Sequence, residues 1–96
     1  GIYVSPFEVE ATLIQHAAVL EAAVIGVIDK EGLTKTKAFV VRKAGADVTE
    51  DELKAFVKDK LAPYKYPRQI EFVTELPKTA TGKIQRFKLR AQEAQH

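Results

Sequence analysis

Ninety-six residues with a formal charge of +2, 46% hydrophobic and 29% charged, describe one ordinary folded domain rather than a disordered or collagen-like chain. No apolar stretch approaches the roughly 20 residues of a spanning helix, which excludes a helical membrane role. The absence of Cys excludes disulfides and thiolate metal sites, and His16 and His96 lie too far apart in sequence for a local ligand pair, so no metal site is expected.

No charged-then-apolar leader is recognisable, so the expected location is the cytoplasm. The chain starts with Gly1 and Ile2 and has no Met, as a piece of a longer polypeptide would. Ile2-Tyr3-Val4 suits a short extended segment. Ser5-Pro6-Phe7-Glu8 then carries three helix-start signals: a capping Ser, a Pro in the first turn, and Glu8 to complete a capping box. Phe7, Ala11, Ile14 and Ala18 follow helical spacing and are expected to face the core. Val9 and Leu13 form a second apolar strip, serving either a missing partner surface or a thick core.

Ala22 to Ile28 is a nearly continuous apolar run, as in a buried strand. A turn containing Gly32 follows, and Lys37 to Arg42 is the second strand of an expected antiparallel hairpin. Thr49 and Glu52 form a capping box that opens a helix with Leu53, Phe56, Val57 and Leu61 on its core face. Pro63 and Pro67 bound an irregular segment, Gln69 to Val73 reads as a third strand, and a basic helix begins near Gln85. The order implies an α+β fold: a small central sheet that includes the hairpin, flanked by about three helices.

From Leu76 to Gln92 there are five cations (Lys78, Lys83, Arg86, Lys88, Arg90) and no acid, which leaves ten cations against thirteen acids elsewhere. That excess either concentrates anions such as nucleotides or is a solvated helix face. The loop Pro77-Lys78-Thr79-Ala80-Thr81-Gly82-Lys83 is the most informative stretch. Its small and hydroxylated residues leave backbone N–H groups open, Gly82 permits a turn that a side chain would hinder, and Lys83 sits at the tip. A lysine ammonium there can reach phosphate or carboxylate oxygens, although a lone loop lysine is most often a solubilising charge. The loop is not a phosphate-binding P-loop, because Pro77 replaces its first Gly and Ile84 its Ser/Thr.

Gly1-Ile2-Tyr3-Val4-Ser5-Pro6-Phe7-Glu8-Val9-Glu10 resembles the start of the C-terminal domain of the acyl-adenylating superfamily, which includes acyl-CoA synthetases, peptide-synthetase adenylation domains and firefly luciferase. Glu21-Ala22-Ala23-Val24, Ala38-Phe39-Val40-Val41, Tyr64-Lys65-Tyr66-Pro67 and Leu76 to Arg86 match in the same order. The resemblance covers essentially the whole chain. Lys30 to Lys37, where many relatives carry Gly-Glu, narrows it to bacterial benzoate-CoA ligases and related aryl-CoA ligases.

The resemblance implies a mobile lid, residues 1–96, of an ATP-dependent ligase that forms an acyl-adenylate and then an acyl-CoA thioester from benzoate or a related aromatic acid. The N-terminal domain and hinge of that enzyme would lie outside these residues, and this domain alone would be inactive. Lys83 is implied to be the adenylation lysine. Gly1 would line the passage for the pantetheine arm, or else be a simple loop glycine, and Gly82 and Arg86 would support the lysine loop, Arg86 through backbone carbonyls. Tyr64, Lys65, Tyr66 and Arg68 would bind the nucleotide end of CoA by stacking and phosphate contacts; otherwise the tyrosines pack the domain and the cations are solvated. ATP and CoA are the implied co-substrates, with Mg2+ accompanying ATP but not ligated here. A lysine acetyltransferase and deacetylase are implied regulators of Lys83, since acetylation removes its charge.

Two other readings compete. A carrier protein in place of free CoA offers the same pantetheine arm. A small basic RNA- or anion-binding module is suggested by Lys35 to Arg42, which partly echoes an RNA-recognition pattern, but Thr36 replaces Gly and Lys37 and Arg42 stand where stacking aromatics belong. No nucleic-acid partner is expected.

Overall fold

The computed structural model describes residues 6–28, 30–32, 34–61 and 66–94. Helix α1 (Pro6–Ile14) leads into strand β1 (Val19–Ile28), which turns back into β2 (Thr34–Arg42). Helix α2 (Glu50–Lys60), the short strand β3 (Gln69–Phe72) and helix α3 (Arg86–Ala94) follow. The sheet order is β1-β2-β3: the hairpin is antiparallel, and β3 joins β2 in parallel. The expected α+β architecture with three helices and a central hairpin sheet is therefore present. The leading segment Ile2 to Val4 and the Ser5 cap lie outside the described residues.

The apolar run in β1 is continuous because both faces of the sheet are covered. Ala22 and Val24 point into a first core with Ala38, Val40 and Ile70, beneath Val9 and Leu13 of α1 and Leu53 and Val57 of α2. Ala23 and Ile25 point the other way, into a second core with Phe39, Val41, Leu76 and Leu89 of α3. A register shift between Val19 and Glu21 returns Val19 to the first face, as a bulge does by inserting one residue. Thr49 caps α2, its hydroxyl accepting the Glu52 N–H at 3.2 Å.

Helix α1 turns the opposite face inward from the one its spacing suggested. Val9 and Leu13 are fully buried, whereas Phe7 is 65% and Ile14 48% exposed, and Ala11 is exposed too. Ala18 lies beyond the end of the helix and only partly covers the first core. Both strips have helical spacing, so periodicity alone could not choose between them. Glu10, on the inward side, finds partners on β1 and α3.

On each edge strand one backbone N–H is capped by a glutamate borne on a helix. The Val24 N–H on β1 donates to Glu10 Oε2 at 3.1 Å, and the Ile70 N–H on β3 donates to Glu50 Oε2 at 3.2 Å. An exposed row of unpaired N–H groups invites edge-to-edge association, and these carboxylates remove part of it.

Candidate functional site

The lysine loop is a small hairpin docked on the second face of the sheet. Leu76 is buried in the second core and Ile84 packs against it, so both legs are anchored by apolar side chains. Lys78 and Ile84 form an antiparallel bridge, and the Gln85 N–H donates to the Pro77 carbonyl at 2.8 Å. At the tip, the Gly82 N–H donates to the Thr79 carbonyl and the Thr79 N–H to the Lys83 carbonyl, both at 2.9 Å. This pattern is that of a three-residue hairpin loop whose last residue needs positive φ, and Gly82 supplies φ 89°. A Cβ built there meets nothing within 4 Å, so glycine is required for its backbone conformation and not for space.

The hydroxyls are used internally. Thr79 Oγ1 accepts the Lys83 N–H at 3.1 Å and lies 2.9 Å from Thr81 Oγ1. The N–H groups of Thr79, Gly82, Lys83 and Gln85 are thus consumed within the hairpin, contrary to the expectation of open amides. What the loop offers is the exposed Lys83 ammonium, which has no hydrogen-bond or ion-pair partner among the described residues. A flexible cation on a fixed backbone can approach an anion without having to break an existing bond.

Its basic neighbours are engaged. Lys78 pairs with Glu21 of β1, and Arg86 pairs with Glu10 of α1. Arg86 does not turn to the loop carbonyls: its Nε donates to Glu10 Oε2 at 3.1 Å, its Nη2 to Glu10 Oε1, and its guanidinium lies 4.9 Å from the Phe7 ring centroid. Of the five cations in this stretch, two are therefore neutralised internally, which leaves Lys83, Lys88 and Arg90 to define its outward charge.

Tyr66 and Arg68 sit elsewhere. Tyr66 packs against the first core, on the opposite side of the sheet from the lysine hairpin. Arg68 Nη1 donates to the Tyr66 hydroxyl at 2.7 Å with its guanidinium 5.0 Å from the ring centroid, and Lys58 Nζ lies 4.2 Å from the same centroid. Two cations thus converge on one phenol, a cluster suited to an anion. Tyr66 is also half-buried, as a packing residue would be. Gly1, Tyr64 and Lys65 lie outside the described residues.

Sequence reading missed Glu10, Glu21 and Lys58. Glu10 left a signal, an acid next to a buried apolar strip, because buried carboxylates are rare without a partner. Glu21 and Lys58 left none, since their roles depend on tertiary pairing. Phe39, the aromatic of the RNA-pattern echo, is buried in the second core and presents no stacking face. Among the described residues no three acids or histidines gather to hold a metal ion, and no helix is long and apolar enough to cross a membrane.

A profile of the AMP-binding enzyme C-terminal domain matches residues 8–83. The chain is 65% identical over 94 residues to the benzoate–CoA ligase of Thauera aromatica, an alignment covering 95% of this chain and 18% of that protein. A crystal structure of a benzoate CoA ligase from Burkholderia xenovorans LB400 superposes with a TM-score of 0.81 at 69% identity, covering 92% of this chain and 18% of the other. The acyl-CoA synthetase of Brucella canis superposes with a TM-score of 0.92 at 49% identity, over 99% of this chain and 18% of the other. The chain thus spans less than a fifth of the length of these relatives.

Proposed function

The chain belongs to the family of AMP-binding enzyme C-terminal domains, and on that premise we propose that it is the mobile lid of an ATP-dependent acid–thiol ligase acting on benzoate or a related aromatic acid. The observation that carries this reading is Lys83: an exposed ammonium, without a hydrogen-bond or ion-pair partner among the described residues, on a hairpin that is internally bonded and has two flanking cations neutralised.

In the first half-reaction a carboxylate oxygen attacks the α-phosphorus of ATP, and the bond to pyrophosphate breaks. Both reactants are anionic. Lys83 lies between them, offsets their repulsion and stabilises the charge on the transferring phosphate. A preorganised contact of this kind in a water-excluded site is worth roughly 10²–10³ in rate. In the second half-reaction the CoA sulfur attacks the acyl carbonyl, AMP leaves with the electrons of the broken C–O bond, and the thiol proton passes to solvent. Lys83 has no part in that step and is withdrawn as the domain turns.

The arrangement of the chain supports two working faces. The lysine hairpin rides on the second core, while Tyr66, Arg68 and Lys58 cluster with the first. Tyr64, Lys65, Tyr66 and Arg68 receive the nucleotide end of CoA, and Gly1 lines the pantetheine passage. Gly82 and Arg86 hold the hairpin in shape. The N-terminal domain of the same enzyme supplies the acid pocket, and Mg2+ arrives with ATP without ligands from this domain. The enzyme works in the cytoplasm, where acetylation of Lys83 removes the charge needed for adenylation and a deacetylase restores it.

The test is Lys83→Ala in the full-length ligase. Adenylate formation, followed by pyrophosphate exchange, should fall by about 10² or more. Thioester formation from supplied benzoyl-adenylate should largely survive. Equal loss of both half-reactions refutes the assignment.

A further inference from the structure

Glu10 is the most thoroughly bonded carboxylate near the lysine hairpin. It retains 8% exposure, and its two oxygens accept three hydrogen bonds: Oε2 from the Val24 N–H and from Arg86 Nε, and Oε1 from Arg86 Nη2. Arg86 is the first residue of α3 and lies three positions after Lys83. Between them Ile84 is bridged to Lys78, and the Gln85 N–H is bonded to the Pro77 carbonyl. The backbone between Lys83 and Arg86 is thus tied to the opposite leg at both intervening residues. The other leg is held in the same sense, because Lys78 pairs with Glu21 on β1.

A buried ion pair is weak evidence for stability as such, since its desolvation cost offsets much of its attraction. What a bidentate Arg–carboxylate pair adds is geometry, because the planar fork fixes direction as well as distance. Here that geometry joins the sheet edge and α1 to the root of the hairpin that carries Lys83. We propose that Glu10, acting through Arg86, is a positioning residue for Lys83, setting the angle at which the hairpin delivers its ammonium to the reacting phosphate. The proposal rests on the assignment of Lys83 made under Proposed function. The tolerance is narrow: a displacement of about 1 Å at a reacting centre costs on the order of 10²-fold in rate.

The experiment uses the full-length ligase with three variants: Glu10→Gln, Lys83→Ala and the double variant. Glutamine keeps the size of Glu10 and an oxygen for the Val24 N–H, but it cannot grip Arg86 with two charged oxygens. The adenylation kcat of Glu10→Gln should fall about 10–100-fold, with the KM for the acid changed by less than about threefold. Thioester formation from supplied adenylate should stay within about threefold of wild type. The double variant should adenylate no more slowly than Lys83→Ala, because Glu10 acts only through that lysine. Equal losses in both half-reactions, or a further loss on top of Lys83→Ala, would show that Glu10 merely supports the fold and would overturn the proposal. A collapsed Lys83→Ala beside an undisturbed Glu10→Gln overturns this proposal alone, whereas an active Lys83→Ala overturns the lysine assignment itself. If Glu10→Gln fails to fold, Arg86→Lys, which keeps the charge but loses the fork, is read by the same criteria.

Discussion

Replacing Gly82 by Ala isolates the backbone requirement of the lysine hairpin. Gly82 has φ 89°, and a Cβ at this position has no atom within 4 Å, so the substitution adds no clash. Its cost is conformational: a left-handed backbone costs an L-residue about 1–2 kcal/mol. Reduced freedom of the unfolded chain returns about 0.4–1 kcal/mol of this. The net loss is about 1 kcal/mol, or roughly fivefold in the folding equilibrium. Urea unfolding of the 96-residue chain should register it as a lower midpoint with an unchanged slope. Gly82→Asn should lose less than Gly82→Ala, because Asn tolerates the left-handed region better. A neutral or stabilising Ala, or an Asn worse than Ala, would refute the reasoning.

The orientation of α1 and the cap on β3 give two further tests. Leu13→Ala should destabilise the chain by about 2–5 kcal/mol, since Leu13 is fully buried, whereas Ile14→Ser should stay within about 0.5 kcal/mol. Similar losses at the two sites, measured by denaturant unfolding, would contradict the observed face. The hydrogen bond from Lys54 holds the Glu50 carboxyl below the usual carboxylate range; the Ile70 N–H acts in the same direction and partial burial opposes both. A depressed folded-state value means that Glu50 contributes stability above its unfolded pKa and loses that contribution as pH falls through the folded one. Lys54→Ala should therefore raise the Glu50 titration midpoint observed by NMR, and an unmoved midpoint would contradict the assigned cause.

Much of the fold was legible because local and tertiary signals agree in most elements. Thr49 caps α2 as its residues suggest, and the unbroken apolar run of β1 reflects a sheet covered on both faces. Strand β1 begins at Val19, earlier than the apolar run, because pairing with Arg42 and a bulge extend it through Leu20 and Glu21, which are not core residues. The orientation of α1 was not legible. Phe7, Ala11 and Ile14 offer a stripe as regular as that of Val9 and Leu13, and only tertiary contacts, the packing of Val9 and Leu13 in the first core and the partners of Glu10, distinguish them.

The candidate site divides along the same line. Gly82 was visible as a turn residue, because positive φ is a requirement of residue type, whereas Lys83, expected at the tip, stands just after the loop and opposite Thr79. The amides of Thr79, Gly82, Lys83 and Gln85, expected to be open, are spent inside the hairpin, since Thr79 can serve as both backbone and side-chain partner. Glu21 and Lys58 depend on contacts between distant segments, which no local pattern encodes.

The most direct measurement is a crystal structure of the full-length protein bound to a non-hydrolysable mimic of the acyl-adenylate that the proposed function requires. On that proposal, the Lys83 nitrogen should stand within hydrogen-bonding distance of an oxygen on the phosphorus. A nitrogen left in bulk solvent, with another cation filling that position, would contradict the account.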